Sequence, residues 1–552
     1  MGYTNKQIIG ITAMCAIAAI IAGCSVLFRE DGGGSERRAD NRGKVSVGVQ
    51  DRGGVASSEG SYEQNRWTRW IMANAPVNVK FVPVLRSESK KLLNVMLASG
   101  SAPDIINETN APFRNNLYEQ GRLLPLDDLL QYMPNYARLL EEHPQLRLAG
   151  TKSDGKLYEI GRVNEANPLH VLFIRQDWLD KLGLNTPKTT EELLAVAKAF
   201  AQRDPDSNGK EDTLGLNISY ASDGAVNEMF GIQQDHSWGL REGRVIRQWD
   251  KELAALRFKK ALYDAGAIDR DFIRDKDGSK AKQDFIAGKL GIYVNYSMNW
   301  FEFTTRDLVS LHRNDPSAVV VPLEYPASPF GRYTGAIDNP YQMTTVFNVA
   351  MKDPLAAAQY INFILEPDTS NRLFKGEEGV HWIASSEAGG CPVYTNDLKW
   401  RTEVGFAAAY GLFLSRGTEK CHFVKNQFNP KDDIQRKGLE MYKEAYKLYL
   451  DPEKEYPGLT LGDHVPGLPI ELDEIRIKAL KETTDLYIKA IVSGEQYSAE
   501  QAVEDAKAAW AAIGGERIVS YMNEWYDANK ETAFLADDVW TIVAKQTKLS
   551  EQ

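Results

Sequence analysis

Two rhythms of apolar residues divide the chain. Lys44-Val45-Ser46-Val47-Gly48-Val49 alternates valine with small or polar positions, and Val77-Asn78-Val79-Lys80-Phe81-Val82 does the same. A period of two gives a strand one face for a core, so both stretches predict β-strands. Elsewhere the rhythm lengthens. Helices are predicted around Tyr62 to Ala73, and from Ser89 to Ala98 through Leu92, Val95 and Met96, the latter ended by Gly100. Ala102-Pro103-Asp104-Ile105-Ile106 predicts a third short strand. Strands alternating with helices build a parallel sheet, and ligands in such sheets sit beyond the carboxyl ends of the strands. The loops near Gln50 to Gly60 and Asn107 to Asn110 are therefore candidates for a ligand wall.

A second α/β region is predicted to open at Val171-Leu172-Phe173-Ile174. Thr189 with Glu192 has the spacing of a capping box, and Leu193, Val196, Ala197 and Phe200 fall on one helical face behind it. Trp178, beside Leu179 and Leu182, is assigned to the core. Phe258, Ala261, Leu262 and Ala265 form another stripe, stopped by Gly266. The apolar strand Leu290 to Val294 runs straight into the polar and aromatic stretch Asn295 to Trp300. From Asp432 onward the pattern is mostly helical, clearest over Thr484 to Ser493 and Ala502 to Ala512, and there is no internal repeat.

The N-terminus follows neither rhythm. Apolar residues run from Ile8 to Ala22, 15 positions, behind a short polar segment carrying Lys6. A spanning helix needs ~20, so a secretory signal fits better than a permanent membrane anchor. The run closes on Ile21-Ala22-Gly23-Cys24, which looks like a lipobox, making Cys24 the candidate lipidation site and 1–23 a lipoprotein signal peptide. Residues 24–43 are charged and Gly-rich, with Gly32-Gly33-Gly34 and Arg37-Arg38, and read as a flexible tether. Its 19 residues from Ser25 to Gly43 would span roughly 25 Å as a coil.

Composition changes this picture in three ways. Residues 44–552 are too many for one hydrophobic core, because cores stop growing near ~250–300 residues, so two lobes are expected. A net charge of -11 argues against nucleic acid as a partner and disfavours polyanionic substrates unless a local basic patch overrides the mean. Of the 4 cysteines, Cys15 leaves with the signal and Cys24 is the lipid site, so Cys391 and Cys421 remain. Outside the cell these two can pair, although two cysteines alone do not define a disulfide scaffold.

Asp204-Pro205-Asp206-Ser207-Asn208-Gly209-Lys210-Glu211-Asp212 places oxygen side chains at loop positions 1, 3, 5 and 9, a glycine at 6 and the Lys210 carbonyl at 7. Hard cations need several oxygens at short range, and this is a calcium-loop pattern. Position 12 is Gly215 instead of a bidentate Glu, so the set must borrow an oxygen elsewhere. A solvated turn after a helix is the plainer reading. If calcium binds, its role is structural, since nothing nearby resembles a nucleophile or base.

The chain also carries 24 Tyr, 20 Phe and 11 Trp. Sugars pack their C–H faces on aromatic rings and pair their hydroxyls with amides and carboxylates, so a sugar cleft mixes both kinds of residue. Three stretches do so: Asp235-His236-Ser237-Trp238, Asn295 to Trp300, and Glu377-Glu378-Gly379-Val380-His381-Trp382. The candidate ligand residues are Trp238, Asn295, Tyr296, Asn299, Trp300, Glu378, His381 and Trp382. Catalytic motifs are absent: there is no HExxH and no GxSxG, and Gly150 to Lys156 lacks the Ser/Thr that completes a phosphate loop.

These residues together resemble a known family, the lipid-anchored extracellular solute-binding proteins, family 1, of bacterial ABC importers, and within it the oligosaccharide-binding branch of Gram-positive bacteria. Leu92 to Gly100 running into Pro103-Asp104-Ile105-Ile106, then Leu123 to Leu129, then Asp154 to Tyr158 follow its first-lobe order. Ile174-Arg175-Gln176-Asp177-Trp178-Leu179-Asp180-Lys181-Leu182-Gly183-Leu184 to Pro187 is the most specific match, and it leads into the Asp204 loop. The resemblance implies an α/β, two-lobed, periplasmic-binding-protein-like (type II) fold with a helical C-terminal region. It implies lobe 1 at 44–168 with 325–372, lobe 2 at 170–322 with 375–552, and hinge crossings near 166–170, 322–335 and 372–378. It further implies calcium held by Asp204, Asp206, Asn208, the Lys210 carbonyl and Asp212, with Thr213 where members often place another oxygen ligand. Function follows as an expectation: a monomer, leashed by lipid to the extracellular face of the membrane, closes on an oligosaccharide and passes it to permease subunits without chemistry. The alternatives are an extracellular glycan-degrading enzyme and a peptide- or small-solute-binding protein of the same fold.

Overall fold

The computed structural model describes residues 42–551, apart from 234–236, 387–389, 417–420, 422–423 and 461–463. The signal segment, Cys24, the tether up to residue 41, Asp235 and His236 lie outside the described residues. Among the described residues the strands are, in chain order, β1 (Lys44–Asp51), β2 (Asn78–Leu85), β3 (Ile105–Asn107), β4 (Glu159–Val163), β5 (His170–Arg175), β6 (Trp238–Arg241), β7 (Arg244–Arg247), β8 (Ile292–Tyr296), β9 (Val320–Leu323), β10 (Tyr341–Phe347), β11 (Trp382–Ala384) and β12 (Pro392–Tyr394).

The first sheet has the order β2-β1-β3-β10-β4. β1 pairs in parallel with β2 and β3, while β10 runs antiparallel to both β3 and β4. β1 to β4 therefore all point the same way, and their carboxyl ends share one edge. The valine alternation explains β1: Val45, Val47 and Val49 are buried. Gly48 lets β3 approach, since a Cβ there would lie 3.1 Å from Pro103 and 3.3 Å from the Ile105 carbonyl. The first helix, Arg66–Asn74, begins later than the expected Tyr62. Asn65 caps it, accepting from the backbone of Trp67 at 2.8 Å and Thr68 at 3.1 Å, so the residues before it are held in a turn.

The second sheet has the order β8-β5-β9, with β5 antiparallel to both neighbours. Leu214 to Leu216 extends it beside β8, with the Gly291 amide donating to the Leu214 carbonyl at 2.9 Å and the Ile292 amide to Gly215 at 2.8 Å. Val171 to Ile174 are fully or almost fully buried, and Trp178 sits in the same core, edge-on to Phe200 at 5.3 Å. Thr189 caps the helix Thr190–Gln202 by accepting from the Glu192 amide at 3.2 Å. The Glu192 carboxylate turns back to the Lys188 amide at 2.7 Å and leaves that of Thr189, so half of the expected box forms.

Each sheet has its own core, and the two lobes of the fold are built around them. The chain passes from β4 to β5 across 164–169 and returns from β9 to β10 across 324–340. The stretch 372–378, where a third crossing is expected, contributes Leu373 and Phe374 to the first core. Val404 and Leu414 also pack there, and the chain joins the second at Val424. The C-terminal region is helical, as expected, but its helices are shared out. Tyr442, Ala445 and Tyr449 join the second core, Phe534, Val539, Ile542 and Val543 return to the first, and Trp510, Ile518 and Met522 form a third cluster with Trp238 and Val245. Cys391 and Cys421 form a disulfide with Cα atoms 5.4 Å apart. No helix among the described residues is long and apolar enough to cross a membrane.

Candidate ligand cleft

Strand direction decides where a ligand can sit. β5 pairs His170 with Tyr296, so the amino end of β5 and the carboxyl end of β8 lie at the crossing between the sheets. The parallel extension from Leu214 brings the loop Asn217–Tyr220 to the same edge. There Asn217, Ser219, Tyr220, Asn295, Tyr296 and Asn299 line a cavity of ≈ 220 Å³. Tyr220 and Tyr296 meet edge to face, centroids 5.5 Å apart, and Tyr296 continues to the His170 ring at 4.9 Å. Tyr220 holds a φ of 50°, outside the range most L-residues adopt, and is half exposed. Strain of that kind persists where surrounding structure fixes it and clusters at binding sites. The Asn217 Oδ1 and Asn295 Nδ2 atoms are buried and have no hydrogen-bond partner among the described residues. Buried amide groups demand partners, and a bound hydroxyl-rich molecule would supply them.

A second cavity of ≈ 410 Å³ shares Ser219 and Tyr220 with the first and extends towards Trp238, Arg247, Glu252, Tyr487 and Trp510. Its far end is braced by stacking. The Arg247 guanidinium lies 3.8 Å from the Trp249 ring and 4.5 Å from Trp510, and donates to Glu252 at 2.8 Å. The two spaces joined at Tyr220 suit an elongated ligand better than a compact one.

The facing edge, at the carboxyl ends of β1 to β4, carries arginines that the sequence patterns did not single out. Asp51 and Leu85 are register partners at the ends of β1 and β2, and the next residues are Arg52 and Arg86. Arg162 lies in β4 and donates to Gln342 Oε1 at 2.7 Å. Arg416 docks on the end of β4, its amide donating to the Val163 carbonyl at 2.8 Å. Burial, Arg416 and Arg52 bring the Arg162 guanidinium down to about 9. Desolvation and the neighbouring Arg86 likewise hold Arg52 below its ordinary value. The residues are scattered through the sequence, so only strand register brings them together.

Of the expected ligand residues, Asn295, Tyr296 and Asn299 come together in the smaller cavity and Trp238 lines the larger. Trp300 does not reach either. It is 1% exposed, packed between Phe173 at 5.2 Å and Tyr442 at 5.2 Å, with its indole N–H donating to the Gly438 carbonyl at 3.1 Å. It is a core residue, because the helix Trp300–Glu302 turns it inward where Asn299 faces out. His381 is also 1% exposed. Its Nδ1 accepts from the Glu377 amide at 2.9 Å and its Nε2 faces Glu403 at 3.1 Å, so it braces the chain instead of meeting ligand. Glu378 and Trp382 sit beside it and line neither cavity; the Trp382 indole donates to the Gly376 carbonyl at 3.2 Å.

The Asp204 loop folds on itself. Asp204 accepts from the backbone N–H groups of Asn208 at 3.1 Å and Gly209 at 3.0 Å, and the Asn208 side-chain Nδ2 donates to Asp206 at 2.7 Å and Asp212 at 3.0 Å. Partial burial and the adjacent Asp204 push the Asp206 carboxyl up. The Lys289 ammonium stands 2.8 Å from Asp212. The Thr213 hydroxyl donates to the Phe200 carbonyl at 2.7 Å and is turned into the core. Gly215 is obligatory at position 12, because a Cβ there would fall 2.2 Å from the Ala197 carbonyl oxygen. Among the described residues no group of three or more Asp, Glu, His or Cys is gathered tightly enough to hold a metal ion. The hard oxygen donors are those calcium takes, and Asp204, Asp206, Asn208 and Asp212 lie in one hydrogen-bonded loop.

Residues 72–388 match the sequence profile of the bacterial extracellular solute-binding proteins. The chain belongs to that family. It is a family of binding proteins, the class expected above in preference to an enzyme. Two curated relatives illustrate the range. The chain is 28% identical over 351 residues to the polygalacturonan/rhamnogalacturonan-binding protein YtcQ of Bacillus subtilis, covering 60% of this chain and 66% of that protein. It is 30% identical over 237 residues to the fructooligosaccharide ABC transporter substrate-binding protein FusA of Streptococcus pneumoniae, covering 39% of this chain and 43% of FusA. The chain thus spans less than two thirds of the length of these curated relatives. The type II fold is shared with an extracellular solute-binding protein of Bifidobacterium longum subsp. infantis, at a TM-score of 0.69 and 19% identity over 89% of this chain and 99% of that one. A FusA EF-hand mutant in complex with fructo-nystose aligns with a TM-score of 0.63 and 18% identity over 88% of this chain and 99% of that one.

Proposed function

We propose that this solute-binding protein holds an oligosaccharide between its lobes and delivers it, chemically unchanged, to the permease of an ABC importer. The observation that carries the reading is the wall of Tyr220, Tyr296, Asn217, Asn295 and Asn299, set at the crossing between the sheets with two buried amide atoms awaiting partners. Trp238 offers a further surface at the end of the extended space. The relatives named for carbohydrate binding support it, and since their names differ in sugar they leave the sugar open. A ligand that touches both walls binds the shut form better than the open one and shifts the population towards it. That shift is what lets a permease tell loaded from empty protein.

On this reading lobe 1 comprises 44–168 and 325–374 together with 404–414 and 534–543, and lobe 2 comprises 170–322 together with 424–449 and 490–503. The protein works as a monomer at the extracellular face of the membrane, held by lipid on Cys24 behind the lipobox and the tether. Calcium is bound by Asp204, Asp206, Asn208, the Lys210 carbonyl and Asp212, which line neither of the two cavities, as a clamp on the loop. Bound there, the ion supplies charge compensation to the clustered carboxylates and takes no part in ligand chemistry.

Thermal-shift screening of the fragment from Ser25 against oligosaccharides and peptides tests the reading, with chromatography of each sugar after incubation. A rise in midpoint with a sugar recovered intact is expected. Stabilisation by peptides alone, or a cleaved sugar, overturns it. Chelator is expected to lower the midpoint, and a midpoint indifferent to chelator removes the calcium assignment.

A further inference from the structure

The net charge of -11 disfavours an anionic ligand, yet the first sheet concentrates cations at the edge formed by its strands' carboxyl ends. β1, β2 and β4 end on the same side, which places Arg52, Arg86, Arg162 and Arg416 there. Among the described residues Arg52, Arg86 and Arg162 form no ion pair. The Arg52 guanidinium donates only to Gln50 at 3.3 Å, and that of Arg162 to the neutral oxygens of Gln342 and Leu412. Arg52 and Arg86 are exposed and Arg162 is half buried. The acidic groups facing the cluster are Glu165 and Asp338. Burial holds Asp338 up at about 6 even against His170 and the arginines. Arg52, Arg86 and Arg162, like charges drawn close without an ion pair of their own, repel one another, and an arginine fork matches a carboxylate in two parallel hydrogen bonds. The opposite wall is aromatic and amide-rich, suited to sugar rings and hydroxyls.

From this arrangement, which rests on the sugar-clamp reading above, we infer that the ligand is an acidic oligosaccharide whose uronic-acid carboxylates are read by Arg52, Arg86 and Arg162 of the first lobe. The second lobe then reads the ring faces. The division explains why a chain of net negative charge keeps Arg52, Arg86 and Arg162 out of ion pairs at this edge: the bound carboxylates supply the partners.

Calorimetric titration of the fragment from Ser25 tests this with trimers of galacturonate, mannuronate and guluronate, their methyl esters, maltotriose and a sulfated trisaccharide. The expected result is binding of a uronate trimer, with its uncharged methyl ester weaker by about tenfold or more, the size expected for loss of a charged hydrogen bond. Salt should weaken the acid and spare the ester. Arg86→Gln, exposed and so harmless to folding, and Arg52→Gln should each weaken the uronate and leave the melting midpoint in place. Equal binding of acid and ester, a sulfated sugar preferred over every uronate, or arginine variants that change affinity less than about twofold would overturn the inference. Binding of maltotriose with no uronate bound overturns it while the sugar-clamp reading stands. Failure of every sugar removes both.

Discussion

His170 Nδ1 and Glu228 Oε1 lie 2.8 Å apart with both side chains fully buried, at the point where the chain first crosses between the sheets. The other Glu228 oxygen accepts from the Tyr325 hydroxyl at 2.8 Å and the Ala336 amide at 3.0 Å, on the return crossing. One carboxylate therefore ties both crossings together. Gly224 belongs to the same device, since a Cβ there would lie 2.9 Å from the His170 ring. Removing one partner of a buried charged network costs more than the pair contributes, because the remaining groups stay buried and unmatched. Glu228→Ala should lower unfolding free energy by about 3–5 kcal/mol, measured by denaturant titration, and Glu228→Gln by less. A loss under about 1 kcal/mol would show that the crossing is held by packing alone.

Gly215 makes a sharper prediction about the loop it follows. Its position is packed onto the backbone of Ala197, with the carbonyl oxygen 2.2 Å and the carbonyl carbon 2.6 Å from where a Cβ would be. Backbone cannot swing aside as a side-chain tip can. Gly215→Ala should destabilise by about 1–3 kcal/mol or more, read from the melting midpoint. Asn208→Ala, at the exposed face of the same loop, should cost far less without added calcium. Equal effects would mean that the Ala197 contact is not what excludes a ligand at position 12.

The Cys391–Cys421 bond closes a loop with a sequence separation of 30. Chain-entropy reasoning gives such a link about 3–4 kcal/mol of stabilisation. The double Cys391→Ser, Cys421→Ser variant should melt earlier than the oxidised protein and should match the wild type under reductant. If reductant leaves the wild-type midpoint unmoved and the bond is shown to be broken, the link contributes nothing to stability.

Acid should weaken the protein through two histidines. Burial, with Lys545 nearby, lowers His143 to about 4, and burial alone lowers His464 to about 4, against an ordinary value of 6.5. The folded state keeps both rings neutral where the unfolded chain would protonate them. Their contribution is therefore complete above pH 6.5, is lost as pH falls towards 4, and then levels off, at up to about 3 kcal/mol each. His464 stacks on Phe534 at 4.5 Å, and its Nε2 has no hydrogen-bond partner among the described residues. His464→Phe should keep the stack and flatten the stability profile between pH 6.5 and 4. An unchanged slope would assign the acid sensitivity to other groups.

How much of this was legible in the chain depended on range. Period-two valines gave β1 and β2, and topology then put the ligand loops at Gln50 to Gly60 where Arg52 now stands. That Asn295, Tyr296 and Asn299 come together in one cavity was readable because the strand, its end and the exposed loop are contiguous. Trp300 was misjudged because polar neighbours in sequence are not neighbours in space: one residue further along, the helix turns the ring inward. His381 was misread likewise, its partner Glu403 being 22 residues away. The arginine edge was invisible, since three strand ends and the segment carrying Arg416 meet only through tertiary pairing. The C-terminal helices were seen as helices, but which core each one joins is a tertiary matter that periodicity does not carry.

The central claim is a clamp that shuts on sugar. Small-angle scattering of the fragment from Ser25, recorded with and without a saturating oligosaccharide identified by thermal shift, tests it most directly. The account predicts a smaller radius of gyration and a shorter maximum dimension in the loaded protein. Identical scattering curves with the sugar demonstrably bound would contradict it.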